Sequence, residues 1–368
     1  MSKRLSNFEV LRILAMFMVL VLHYLAKGGL LTPVDAPFTA ASYVAYFIEC
    51  LAIVAVNVYV LITGYFMCES HMKVRRLMQI LCQVMWYVLL IPVVLALLGQ
   101  VDIAAFNTYD WLKLLFPVHM KHYWFVTSYV LLMLFVPFLN MAIRHMSKVQ
   151  HLTATALLVL YQMFPKSIFP VVFTDDDAGY GPIWLICLYL IAAYIRKYGI
   201  PFFSSLKKSL FCYFAGAGCI FLSLLVVRQV YFAIDAFEER IDFGLHYNHI
   251  ICLFTSVALF YVFAHWKPKE NRFTRFAVRV APYTFGVYLL HEHMLVGYNW
   301  TKWLQVAPTD SVLLTIITLI WKCGLVLAVG IFLDWLRSLV FKWAGRVLAH
   351  TPIPGWIKRL DQCLCLDA

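Results

Sequence analysis

The chain carries little charge for its length. Only 13% of its 368 residues are Asp, Glu, Lys or Arg, whereas soluble domains contain about 25%. Hydrophobic residues make up 63% of the chain, and the polar intervals between apolar runs are all short. This composition excludes a soluble globular protein and predicts an integral membrane protein with several spans.

Several patterns that mark other kinds of site are also missing. The ten cysteines include no C-x-x-C pair, which argues against a zinc site and against a disulfide framework. The sequence contains no glycine-rich loop of the kind that holds phosphate and no internal repeat. We therefore expect no metal and no permanently bound cofactor.

Apolar runs of about 20 residues, the length that crosses a bilayer, recur along the whole chain. We predict an all-α integral membrane protein with a bundle of about ten transmembrane helices. The transmembrane domain is expected over 1–340, and a short cytoplasmic tail over 341–368. The predicted spans are 8–26, 42–66, 77–99, 123–142, 151–165, 182–199, 208–230, 248–265, 280–298 and 311–335.

Basic residues are unevenly divided between the two sides of this topology. With a cytoplasmic N-terminus, 21 of the 30 Lys and Arg residues fall in inner segments and only 7 in outer ones. Such a bias follows the positive-inside rule and predicts that both termini are cytoplasmic. Anionic membrane lipid then explains the net charge of +11, so we expect lipid contact and no nucleic-acid partner.

The first span, FEVLRILAMFMVLVLHYLA, contains three ionisable residues: Glu9, Arg12 and His23. His23 is eleven positions after Arg12, which amounts to a rotation of about 1100° and brings both side chains to one helix face about 16 Å apart. Glu9 lies on the same side and can pair with Arg12. Ionisable groups within a span are expensive and usually mark a functional site.

This spacing suits a ligand with an anionic head and a reactive group at its far end. Acyl-coenzyme A is such a ligand, because its phosphates and its thioester lie at opposite ends of a flexible arm. Arginine binds phosphate through its forked donors, and a neutral histidine is a common base or nucleophile. The alternative is an Arg12 that extends to the inner surface beside Glu9 and a His23 bonded to a backbone carbonyl.

Residues near the ends of other spans are further candidates. Glu49 enters the outer third of the second span, where it would either orient a histidine or pair helices. Arg75 and Arg76 open the third span on the inner side, as a second phosphate contact or as ordinary positive-inside anchors. His122 and Trp124 stand at the outer boundary, where they would bind a sugar or belong to the aromatic belt.

Four segments, in order, resemble the acyltransferase-3 family of bacterial membrane O-acyltransferases. Arg12, ten residues and His23 are similar to its R-x10-H motif, and VNVYVLITGYFM (56–67) is similar to its F-F-x-x-S-G-F/Y segment. HYWFVTSYVLLMLFVP (122–137) resembles its H-x-W-F segment, and TFGVYLLHEHML (284–295) its late Y-L-I-H segment. The likeness spans nearly the whole chain and implies that His291, beside Glu292, is the late histidine of the site.

The resemblance implies a function and a location. We expect an O-acyltransferase of the bacterial inner (plasma) membrane that moves an acetyl or other short acyl group from cytoplasmic acyl-CoA. The expected acceptor is a hydroxyl of a cell-surface or lipid-linked polysaccharide, reached alone or with a separate extracytoplasmic partner protein. Acetyl-CoA is then a donor substrate held by Glu9, Arg12, Arg75 and Arg76, and His23, Glu49, His291 and Glu292 are the catalytic candidates.

The alternative function is a transporter or flippase for a polysaccharide intermediate. Many transporters contain inverted repeats with broken spans at matching positions. The sequence shows no such repeat, and transport gives no reason for the spacing between Arg12 and His23.

Overall fold

The computed structural model describes residues 5–33, 35–168, 177–234 and 242–347, together with positions 355, 359 and 361. These residues form helices and turns and no β-strand, which confirms the predicted all-α class for the part of the chain that is described. The helices are α1 (Ser6–Lys27), α2 (Ala40–Ala52), α3 (Ala55–Met67), α4 (Val74–Leu97), α5 (Thr108–Leu115), α6 (Trp124–His145), α7 (Lys148–Ile168), α8 (Pro182–Tyr198), α9 (Leu206–Ile234), α10 (Ile250–His265), α11 (Arg272–Val280), α12 (Thr284–His291), α13 (Asn299–Trp303) and α14 (Val312–Val347).

Six helical segments within the described ranges are long and apolar enough to cross a membrane. Helix α10 is apolar as well but has only 16 residues. These are the helices of a multi-pass membrane protein, while the count of ten spans remains a prediction. The six segments are Ser6–Lys27, Ala40–Met67, Val74–Leu97, Trp124–His145, Leu206–Ile234 and Val312–Arg346.

The predicted ninth span, 280–298, is not one continuous helix. Helix α12 ends at His291, and turns follow it. In these turns the His293 carbonyl accepts hydrogen bonds from the Val296 and Gly297 amides at 2.8 and 2.7 Å. The His293 ring also accepts a bond from the Leu295 amide at 3.2 Å. Bonds from a side chain to nearby backbone compete with helical bonding, which is why the helix stops earlier than its hydropathy predicts.

The predicted boundary between membrane domain and tail, at residue 340, falls inside α14. That helix runs without a break from Val312 to Val347. Asp361 of the tail accepts a hydrogen bond from the Val74 amide at 2.7 Å, at the start of α4. The rest of the tail beyond residue 347 lies outside the described residues, apart from positions 355 and 359, and the boundary stays a prediction.

Segments that the charge bias assigns to the inner side meet at one end of the bundle. Asn7, near the start of α1, donates to the Phe263 carbonyl near the end of α10 at 2.8 Å. Residues 5–8 and the 266–279 region line one open cavity of about 760 Å³. Residues 5–8 and the basic 267–279 segment therefore lie together, as the predicted alternation requires, while their cytoplasmic location remains a prediction.

Helix α1 lies in the middle of the bundle. It packs against α2, α3, α10, α11, α12 and α14, and Leu11, Leu20 and Leu25 are fully buried. A polar side chain on such a helix needs a partner inside the protein, because an unpaired buried group is costly. The hydrogen-bond partners of Arg12 and His23 therefore indicate the role of these two residues on α1.

A buried carboxylate that sequence reasoning missed joins α4 to α14. Asp334 is fully buried and accepts bonds from Gln83 at 2.9 Å and Tyr87 at 3.0 Å. Arg337, one turn further on, pairs with it through two bonds of 2.7 and 3.0 Å. Gly286 of α12 lies directly against Asp334, so that a Cβ at this glycine would come within 2.3 Å of the carboxyl carbon. Helix α12 can thus take this position only because residue 286 is a glycine and has no Cβ.

We expect Gly286→Ala to destabilise the fold by about 1–3 kcal/mol, the usual range for overpacking a filled site. The new methyl group must displace either Asp334 or α12 itself. The matched control is Gly324→Ala in α14, where a Cβ meets nothing within 4 Å and better helix propensity favours alanine. Thermal unfolding of the purified variants in detergent checks this, and equal midpoints for the two variants would contradict it.

Candidate functional site

His23 of α1 and His291 of α12 are hydrogen-bonded to each other. His23 Nδ1 lies 2.9 Å from His291 Nε2, and His291 Nδ1 lies 2.6 Å from the Val287 carbonyl oxygen. A carbonyl only accepts, so His291 Nδ1 carries a hydrogen and, in the neutral ring, Nε2 is left as an acceptor. His23 must then donate from Nδ1. It follows that the lone pair of neutral His23 is on Nε2.

A carboxylate and an ammonium group complete this cluster. Glu292 Oε1 lies 3.2 Å from His23 Nδ1 and is also paired with Lys27 Nζ. The carboxylate can hold the His23 ring and would stabilise positive charge on it. Lys27 was not predicted as a site residue, although its position four residues after His23, on the same helix face, was visible in the sequence.

A small cavity of about 30 Å³ lies beside His23. Met16 and Val19, which continue the helix face from Arg12 to His23, contribute to its wall. Most of the remaining wall is aromatic, and Trp124 is stacked on Tyr247 with 5.9 Å between ring centroids. Trp124 thus lies at the cavity next to His23 and is half-buried. A role in substrate binding stays a prediction.

The predicted pairing of Glu9 with Arg12 is confirmed. Arg12 Nη1 donates to both carboxylate oxygens of Glu9, at 3.0 and 3.2 Å. Glu9 is buried, whereas 31% of the Arg12 side chain is exposed. The guanidinium group is therefore held by one partner while its other donors remain able to meet a ligand.

Arg76 belongs to the same electrostatic neighbourhood as Arg12, since both charges act on the Tyr129 hydroxyl. Tyr59, which lines the cavity at His23, is in turn within the electrostatic range of Arg12. Arg75 and Arg76 are both exposed at the start of α4. No hydrogen bond or ion pair within the described residues joins Arg12 to either arginine, so a second phosphate contact from Arg75 or Arg76 stays a prediction.

Glu49 does not provide the carboxylate that touches His23. It is buried in α2, and its Oε2 has no hydrogen-bond partner among the described residues. The carboxylate beside His23 belongs to Glu292. The proposed catalytic role of Glu49 stays untested.

His122 is half-buried and lies close to the end of α12. Its ring packs on His293 with 4.7 Å between centroids, and its Nε2 accepts a bond from the Met294 amide at 3.4 Å. Burial lowers the pKa of His122 to about 4, so the ring is neutral at physiological pH. Its contacts support the turn after α12, and sugar binding by His122 remains a prediction.

His23, His291 and Glu292 also have the side-chain types that bind metal ions. Their ligand atoms all lie within 4.8 Å of one another. However, Lys27 already pairs with the Glu292 oxygen, and a divalent ion there would bring two positive charges together. The contacts therefore favour a hydrogen-bonded histidine cluster over a metal centre.

Comparison with known proteins gives one match. The family model described as an acyltransferase domain, Acyl_transf_3, matches residues 5–335. No curated protein and no solved structure gives a significant match. The matched region contains all the residues of the His23 cluster and the Glu9–Arg12 pair. The chain belongs to the acyltransferase-3 family and is a membrane acyltransferase.

Proposed function

We propose that this acyltransferase moves an acetyl group from cytoplasmic acetyl-CoA to a hydroxyl of a lipid-linked or cell-surface glycan. Arg12, with Arg75 or Arg76, binds the phosphates of the donor near the inner end of the bundle. The arm of the coenzyme follows the α1 face toward the thioester site at His23. The bacterial inner membrane is the proposed location.

The observation that carries this proposal is His23 Nε2, which has no hydrogen-bond partner among the residues that the structure describes. His291 and Glu292 contact the opposite nitrogen, so the ring presents an unprotonated nitrogen on its other side. That nitrogen takes the proton of the acceptor hydroxyl as a general base, or attacks the thioester itself to form an acyl-histidine. In both routes Glu292 stabilises the positive ring.

The size of the cavity at His23 favours acetyl over longer acyl groups. Its volume is about 30 Å³, which is on the order of one water-sized group. Close packing of the aromatic wall leaves little space for additional methylene groups. A short acyl group would therefore bind with its carbonyl carbon beside His23.

A second cavity favours an acceptor that is carried on a lipid. It has a volume of about 550 Å³, lies between α4 and α14, and is lined almost entirely by apolar side chains such as Trp86, Trp300 and Val329. His291 lies in its wall as well. A hydrocarbon chain in this cavity would bring an attached sugar to the His23 cluster, whereas a water-soluble polymer has no group suited to it.

Transfer of a labelled acetyl group tests the proposed function. Membrane vesicles from cells with and without the gene would receive acetyl-CoA labelled in its acetyl group. We expect ester-linked label in the glycan fraction only when the gene is present. A transporter or flippase predicts no covalent label, and equal labelling of both preparations would also contradict the proposal.

We expect Arg12→Lys to raise the KM for acetyl-CoA about tenfold, with a smaller change in kcat. Lysine keeps the positive charge but loses the planar fork that binds phosphate and Glu9 together. The matched control is Arg144→Lys, an exposed arginine at the end of α6. Initial rates over a range of acetyl-CoA concentrations check this, and an unchanged KM would show that Arg12 only pairs with Glu9 within α1.

A further inference from the structure

The hydroxyl group of Tyr288 is buried and donates its hydrogen to no acceptor within the described residues. The residue is 5% exposed, and the group beside its hydroxyl oxygen is the backbone of Phe125, which can only donate from its amide. Nearly all buried polar groups in proteins are hydrogen-bonded, so an exception calls for an explanation. The other buried tyrosines nearby are paired, as when Tyr123 donates to the Leu289 carbonyl at 2.8 Å.

The position of Tyr288 supplies the explanation. Tyr288 lines the same small cavity as His23. It precedes His291 by three residues on α12, and its ring meets the His291 ring edge to face at 6.0 Å between centroids. The backbone of Phe125, in the first turn of α6, lies beside the hydroxyl oxygen, where helix amides have no partner within the helix.

We propose that Tyr288 is a catalytic residue that donates a hydrogen bond to the thioester carbonyl oxygen during acyl transfer. This inference rests on the proposed acetyl-CoA chemistry at His23. The substrate would provide the acceptor that the Tyr288 O–H hydrogen lacks, and the Phe125 amide would support the phenol oxygen.

The reaction step balances without any further reactant. The acceptor hydroxyl oxygen bonds to the carbonyl carbon while His23 Nε2 takes its proton, and the C=O electron pair moves onto oxygen. Tyr288 donates its hydrogen bond to this oxyanion. When the C=O bond re-forms, the C–S bond breaks, and the coenzyme A thiolate takes the proton from His23. The same oxyanion arises first if His23 is the attacking group.

Tyr288→Phe tests the proposal because it removes only the hydroxyl. We expect kcat to fall by about 10² to 10³-fold, as for loss of one oxyanion donor, with the KM for acetyl-CoA within about twofold. Protein abundance and thermal midpoint should change little, because the lost hydroxyl donates to no acceptor in the folded protein. Rates come from the vesicle assay with labelled acetyl-CoA.

The matched control is Tyr213→Phe. Tyr213 is also buried, but its hydroxyl donates to the Leu51 carbonyl at 2.8 Å, so its loss should lower stability and leave kcat unchanged. If wild-type vesicles transfer label and Tyr288→Phe does so at the same rate, the role of Tyr288 is wrong while the proposed function stands. If wild-type vesicles transfer no label, the proposed function fails, and the inference with it.

Discussion

His23→Gln should lower acetyl transfer by about 10² to 10⁴-fold, the range for loss of a general base. Glutamine is of similar length, and its side-chain amide can still donate a hydrogen bond to His291. This bond would replace the wild-type hydrogen bond between α1 and α12. It cannot take a proton at neutral pH or form an acyl intermediate. The variant should therefore be present in membranes at near wild-type abundance and lack activity per molecule.

His151→Gln is the matched control for this prediction. His151 is a fully buried histidine, and its Nε2 lies 3.1 Å from the Leu190 carbonyl. Its replacement should affect stability and leave the rate per folded molecule unchanged. Comparable rate losses in both variants, or a wild-type rate in His23→Gln, would show that His23 has a structural role only.

Glu292→Gln should lower kcat by about 10² to 10³-fold, because the carboxylate of a histidine–carboxylate pair stabilises the imidazolium that forms during catalysis. The wild-type carboxylate lies 3.2 Å from His23 Nδ1 and pairs with Lys27. The amide keeps an acceptor for His23 but has no charge, and it leaves the Lys27 ammonium unpaired beside the ring. The KM for acetyl-CoA should change little.

An unpaired buried charge can itself destabilise a protein, so a second variant separates the two effects. Combining Glu292→Gln with Lys27→Met removes both charges and should restore abundance without restoring kcat. Glu69→Gln is the control, since that carboxylate pairs with Arg196 at 2.7 Å on the exposed opposite end of the bundle. Recovery of wild-type kcat in the double variant would contradict a catalytic role for Glu292.

Local helix geometry made part of the site predictable. The common face of Arg12 and His23 and the pairing of Glu9 with Arg12 depend only on positions along one helix. The late histidine, His291, came from the resemblance of YLLH to the family segment. Its bond to His23 spans 268 positions in sequence and follows from no local rule.

The choice between two carboxylates could not be predicted. Glu49 and Glu292 were both placed in the outer half of a span, at depths that suited a partner for His23. The packing of α12 against α1 places Glu292, and not Glu49, beside His23. Such packing depends on distant features such as the contact of Gly286 with Asp334. Hydropathy alone likewise could not show that side-chain bonds to the backbone end α12 at His291.

The most direct test of the central claim compares the glycans of three strains by mass spectrometry. The first strain lacks the gene. The second is the same strain with the wild-type gene restored, and the third carries the His23→Gln variant at equal protein abundance. We predict that surface or lipid-linked glycans lose an acetyl ester on deletion, regain it with the wild-type protein and do not regain it with His23→Gln. Full recovery of the ester with His23→Gln, or no change on deletion, would contradict acyl transfer at this site.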